Sequence, residues 1–287
     1  MTSSPPKNLA RSINQRLSNL ATKRKVPFER ILTEFLLERL AHRLVVDNRL
    51  SAALIFKGGY VSVRVYQSPR YTTDLDALVR GQDLKAASTE AIKAVEKSSD
   101  DGVWFRFQES IDLKVQNEYG GIRLIFRCGV GDSPKNVRRA QLVNLDIGTG
   151  DPVTPKEARH ETPFLLAGGS LSWQVYPVET ICAEKLHSLL TRRSDNSRAK
   201  DVFDLNLFLP QCDPETLKRA LGETFKYRGV TVPDDIADSL SGIGTELMKL
   251  GWKSAVTGIE SAGDFDTIFS QLIEKMAVMW RKKGAGK

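Results

Sequence analysis

Two aspartates separated by one leucine, Asp74 and Asp76 in T-T-D-L-D-A-L-V, are the residues of this chain best placed for chemistry. Polar and apolar residues alternate over Asp74–Val79, which predicts a β-strand. Side chains two apart on a strand share a face, with Cβ atoms about 6.5 Å apart, so both carboxylates point the same way. Leu75 then faces the core and fixes the register. Carboxylates held like this can bridge a hard cation such as Mg2+, which takes oxygen ligands and keeps several waters. A third carboxylate on a neighbouring strand would complete a two-metal clamp with ions about 3.5–4 Å apart. Asp146, in N-L-D-I, is the first candidate for it, and Asp112, in S-I-D-L-K-V, the second. The plainer alternative for D-L-D is a solvated strand face or a turn cap.

Upstream lies Lys57-Gly58-Gly59, between a short expected strand at 52–56 and an expected helix at 60–66. Paired glycines let the backbone approach a ligand closely. Amides at the start of the following helix can hold phosphate oxygens. Lys57 adds a cation, or else lays its stem along a sheet edge. Taken alone, Gly-Gly is a tight turn. Followed by the paired-carboxylate strand, it reads as a phosphate cradle beside a cation site. Arg70, a further cation, lies just before that strand.

A second constellation reads A-E-K-L-H-S-L-L-T-R-R-S-D-N-S-R-A-K-D-V-F-D-L, from Ala183 to Leu205. Lys185 sits on a helix whose apolar stripe is Val178, Ile181, Cys182, Leu186, Leu189 and Leu190. Lys185 could be a surface cation paired with Glu184 or Glu179, an arrangement of little energetic consequence. Asp201 and Asp204 lie three apart on one helical face. Asp201 could organise Lys185 or Arg198, and Asp204 could be a structural ion-pair partner. His187 reads as a structural or surface histidine.

The surrounding elements give an α+β architecture. Helical spacing of Phe28, Ile31, Leu32, Phe35, Leu36, Leu40 and Leu44 predicts a core-facing helix over 27–46, and another helix is expected at 82–98. Strands are expected at 103–108, 111–117, 122–128 and 140–147, in a mixed or antiparallel sheet. Five helices follow, at 178–191, 199–209, 214–227, 234–250 and 265–282. The expected division is an N-terminal sheet domain over 1–175, with a basic helical region at its start, and an all-helical domain over 176–287.

The chain has 287 residues, 41% of them hydrophobic and 27% charged, as expected of a folded globular protein. No apolar run is long enough for a membrane span, and the first residues lack the apolar core of a signal peptide, so a cytoplasmic address is expected. Three cysteines far apart in sequence read as reduced thiols, and the three histidines show no zinc spacing with them. The net charge of +7 is uneven. Lys7, Arg11, Arg16, Lys23, Arg24, Lys25 and Arg30 face only Glu29, and Arg281, Lys282, Lys283 and Lys287 close the chain. Basic ends of this kind suit a nucleic acid, or serve solubility.

The G-G turn followed by D-x-D resembles the DNA polymerase beta-like nucleotidyltransferase superfamily. With K-G-G, R-Y-T-T-D-L-D and the Ala183–Leu205 motif, it looks like the AbiEii/MenT toxins, nucleotidyltransferase partners of type IV-like toxin–antitoxin pairs. The resemblance spans Ile55 to about Leu209. It implies that Asp74 and Asp76 are metal ligands, Gly58 and Gly59 the nucleotide-binding turn, Lys185 a triphosphate contact and Asp201 a second active-site acid. It implies an NTP substrate, Mg2+ or Mn2+, an RNA acceptor (the 3′ end of tRNA), inhibition of translation and growth, and a cognate antitoxin protein. Three other readings remain open from the residues: a small-molecule nucleotidyltransferase of the aminoglycoside type, a non-catalytic RNA-binding module, and a transferase modifying protein, with Tyr71, Thr72 and Thr73 beside the acids.

Overall fold

The computed structural model describes residues 7–113, 120–134, 136–166, 168–192, 197–259 and 261–280. The chain divides into two units, one of Met1–Val65, Tyr71–Gly150 and Ala158–Val175, the other of Tyr66–Arg70, Asp151–Glu157 and Tyr176–Lys287. Two short segments from within the expected N-terminal domain of 1–175 therefore belong to the second unit.

The first unit is built on a seven-stranded mixed sheet: β1 (Leu54–Lys57), β2 (Asp74–Val79), β3 (Val103–Leu113), β4 (Gly121–Val130), β5 (Gln141–Thr149), β6 (Ala158–Pro163) and β7 (Ser170–Val175), in the order β3-β4-β5-β2-β1-β7-β6. β2 runs parallel to β5 and antiparallel to β1, while β1 runs parallel to β7. Leu75, Leu145, Phe126, Phe56 and Trp173 are fully buried on this sheet. Helices α1 (Lys7–Arg24), α2 (Phe28–Val46), α3 (Asn48–Ala53), α4 (Gly58–Arg64) and α5 (Leu84–Glu96) accompany it. Leu36, Leu37, Leu40 and Leu44 of α2 are wholly buried, as their spacing requires. Asp47 caps α3 by accepting from the amides of Arg49 and Leu50, so Ala52 and Ala53 end a helix instead of starting β1.

The sheet departs from expectation in two further places. The two strands expected at 103–108 and 111–117 form one strand, β3, whose register shifts between Phe107 and Glu109; residues 114–117 lie outside the described residues. The hairpin of β6 and β7 was not expected at all. Its inner strand buries Leu171, Trp173 and Val175 at period two, but β6 is polar and buries only Thr162. A buried ion network ties the segment after β6 to α2. Glu38, wholly buried, meets Arg39 at 2.7 Å and Arg64 at 2.8 Å and accepts from the Leu165 amide at 2.7 Å.

The second unit is helical: α6 (Val178–Arg192), α7 (Ala199–Phe208), α8 (Pro214–Tyr227), α9 (Ile236–Ser241), α10 (Glu246–Ala255) and α11 (Phe265–Trp280). The single helix expected at 234–250 is two, α9 and α10, parted at Gly242. Cys182 and Cys212, far apart in sequence, bring their sulfurs to 3.6 Å as free thiols. Among the described residues no helix is long and apolar enough to cross a membrane.

Candidate functional site

β1 ends at Lys57, and the chain turns through Gly58 into α4. Gly58 has φ +72°, a conformation L-residues adopt only with strain. A Cβ on Gly58 would overlap the Asp76 carboxylate, and one on Gly59 would lie 2.8 Å from Thr72 Oγ1. Both glycines are therefore required by closeness, and the Asp76 carboxylate lies directly against the bend. α4 itself is held by the fully buried Tyr60, whose hydroxyl donates to the Glu34 carbonyl at 3.3 Å.

On β2, Asp74 and Asp76 are half-buried on one face while Leu75 is fully buried on the other. The parallel register sets Asp74 beside Asn144 and Asp76 beside Asp146 of β5. Asn144 Nδ2 donates to Asp74 Oδ1 at 2.8 Å, and the Thr73 hydroxyl donates to the same oxygen at 3.4 Å. Asp146 lies opposite Arg123 of β4, which grips it through two hydrogen bonds of 2.7 Å, Nε to Oδ1 and Nη2 to Oδ2. The hydrogen bond to Asp146 holds the Arg123 guanidinium above its usual range, and the charges of Asp146, Asp74 and Asp76 add to this. Asp112 pairs with Ile122, in line with Ile147 on the sheet face opposite to that of Asp146, and takes no part.

Among the described residues no three His, Cys, Asp or Glu side chains come together as a ligand set. The Asp74–Asp76 pair, two hard carboxylate donors on one strand face with Asp76 against the Gly58 bend, fits a divalent cation bound through two carboxylates and completed by substrate phosphates.

The helical unit gathers a different cluster. Lys185 Nζ lies 2.6 Å from Asp201 Oδ1 and 2.8 Å from Asp204 Oδ2. Arg70 Nη1 reaches Asp204 Oδ2 at 2.8 Å and the Lys200 carbonyl at 3.0 Å, and Arg198 reaches Asp201 at 3.2 Å. Asp201 and Asp204 are buried. Burial pulls the Lys185 ammonium down, but Asp201 and Asp204 outweigh it and leave the group above its usual range. Burial pushes Asp201 up, and Lys185 with Arg198 bring its carboxyl below the usual value. Both groups are thus charged at neutral pH. His187 packs edge-on to Phe225, and burial, then Arg228, lower it to about 4.

Sequence reasoning passed over Arg123 and Asn144. N-L-D on β5 repeats the spacing of D-L-D on β2, which was a usable signal for Asn144. Arg123 stands in an alternating strand as one polar residue among several, and only the lateral register picks it out.

A family model described as "Nucleotidyl transferase AbiEii toxin, Type IV TA system" matches residues 39–271. No curated protein matches the chain. Among solved structures, a proposed nucleotidyltransferase from H. pylori is 15% identical, with 89% of this chain and 96% of that one covered and a TM-score of 0.48. JHP933 from Helicobacter pylori is 15% identical over 85% of this chain and 89% of that one, TM-score 0.46. An antigenic nucleotidyltransferase-like protein from Paracoccidioides brasiliensis is 16% identical over 73% and 96%, TM-score 0.39.

Proposed function

The chain belongs to the AbiEii family of nucleotidyl transferase toxins of type IV toxin–antitoxin systems, and on that premise we propose that it transfers NMP from an NTP, with Mg2+, to the 3′ end of tRNA. The observation that carries this reading is the Asp76 carboxylate seated against the positive-φ Gly58, with Asp74 on the same face.

In the proposed reaction a hydroxyl oxygen of the acceptor bonds to the α-phosphorus, the bond from that phosphorus to the β-phosphate oxygen breaks, and pyrophosphate leaves with the electron pair. The hydroxyl proton passes to a base or to solvent. Asp74 and Asp76 would hold Mg2+, which when bound neutralises phosphate charge and eases ionisation of the hydroxyl. Asn144 fixes the orientation of Asp74 through its 2.8 Å hydrogen bond. Gly58 and Gly59 let phosphate oxygens approach the backbone, and Lys57 adds charge beside them. In the helical unit, Lys185 and Arg70 are the proposed triphosphate contacts and Asp201 the acid that keeps the Lys185 ammonium charged. Most of the rate then comes from positioning and charge stabilisation.

The RNA acceptor is supported by the surface of α1, which has no acid in its sequence and exposes Arg11, Arg16 and Lys23. The C-terminal basic cluster from Arg281 lies outside the described residues. Modification of the tRNA end would stop translation and growth, and a cognate antitoxin protein would relieve it. The test is incubation with each α-labelled NTP, Mg2+ and deacylated tRNA. Label on the RNA is expected. Label on an aminoglycoside or on protein instead, or no label with any NTP, overturns the reading.

A further inference from the structure

We propose that Arg123 is a positioning residue of the sheet site: it clamps Asp146 so that a divalent cation meets Asp74 and Asp76 without the third carboxylate. This rests on the reading of Asp74 and Asp76 as cation ligands.

Asp146 is the acid that topology places nearest to Asp76, as its direct neighbour in the parallel register of β2 and β5. Three carboxylates on one face would repel one another and attract cations strongly. The guanidinium meets both Asp146 oxygens at 2.7 Å in a planar two-bond fork, the arrangement in which arginine binds carboxylate best. That fork occupies the oxygens a cation would need and cancels their charge. The three acids accordingly do not come together as a ligand set among the described residues.

The pair is not sealed in the core, since the Arg123 side chain is 33% exposed and that of Asp146 17%. Being partly exposed, the pair is worth less to folding than a sealed one. Its position, at the end of the row Asp76–Asp146–Arg123 across three neighbouring strands, instead controls how many carboxylates a cation can reach. The site binds weakly until substrate phosphates supply the missing oxygens, so cation occupancy follows nucleotide occupancy.

The test is a Mn2+ titration of the full chain without nucleotide, read by electron paramagnetic resonance, with bound waters counted in 17O-labelled water. Arg123→Gln should bind Mn2+ roughly tenfold tighter, the size of effect typical of residues that orient metal ligands. The ion should lose one water as Asp146 replaces it, and adding Asp146→Asn should restore both values. Arg123→Lys, which keeps the charge but not the fork, should also lose a water and serves where Arg123→Gln does not fold. Unchanged water number and affinity in folded variants, or a gain in affinity without loss of a water, overturns the inference alone. If Asp76→Asn binds Mn2+ as the unaltered chain does, the reading of the acids fails and the inference with it.

Discussion

The two charged clusters of this chain are built on opposite principles. On the sheet, three acids lie in two adjacent strands with one arginine gripping the outermost, and Asp74 and Asp76 are only half-buried. In the helical unit, Asp201 and Asp204 are buried and are met by Lys185, Arg70 and Arg198 within 3.2 Å. The first presents half-buried carboxylates on one strand face against the Gly58 bend, as suits a cation site. In the second, each of two buried acids is met by two cations, so loss of an acid should be felt in folding. Clusters that look alike in sequence, D-L-D and D-V-F-D, thus separate by what faces them.

The largest effect expected from this contrast is on stability. Asp204→Ala leaves Lys185 and Arg70 without their shared acid and should cost about 3–5 kcal/mol, the usual result of breaking a buried pair. Urea unfolding measures it; a loss below 1 kcal/mol would erase the difference between the clusters. Gly58→Ala should act the other way round. Strain at φ +72° costs about 1–2 kcal/mol, while displacement of the Asp76 carboxylate should lower transfer about a hundredfold. Equal losses of stability and rate in the two variants would break the comparison.

The smallest effect is a pH dependence of stability, to which His187 of the helical unit and His42 of the sheet unit, both lowered first by burial, contribute. His187, lowered to about 4 in the fold from 6.5, stays neutral while the unfolded chain takes up a proton. The unfolded state then binds more protons, so stability should fall as pH drops from 6.5 towards 4. Asp201, depressed in the fold, keeps its contribution above 3.8 and loses it only at lower pH. Thermal melts of His187→Asn should lessen the first slope, leaving the part due to His42, and should leave the second unchanged.

Much of this was open to a reader of the sequence because it is local. Period two reveals that Asp74 and Asp76 share a face, and paired glycines after a strand mark a close approach. The apolar stripe of α2 gives its buried side. What was hidden depends on lateral pairing between strands distant in the chain. Nothing near Arg123 says that β4 will lie against β5 with Asp146 opposite, and nothing near Asn144 says that β5 will run beside β2. The β6–β7 hairpin was hidden for a different reason: an edge strand as polar as A-R-H-E-T-P carries almost no burial signal. Asp204 was legible as an acid but not as the residue that joins Lys185 to Arg70, because Arg70 comes from a segment of the chain far upstream.

The most direct trial is transfer of α-labelled NMP by Asp76→Asn, at matched protein with the fold checked by circular dichroism. Loss of transfer by at least about a thousandfold, with the fold retained, is the outcome that follows from a carboxylate that holds the cation. Label incorporated at the rate of the unaltered chain would place the chemistry elsewhere.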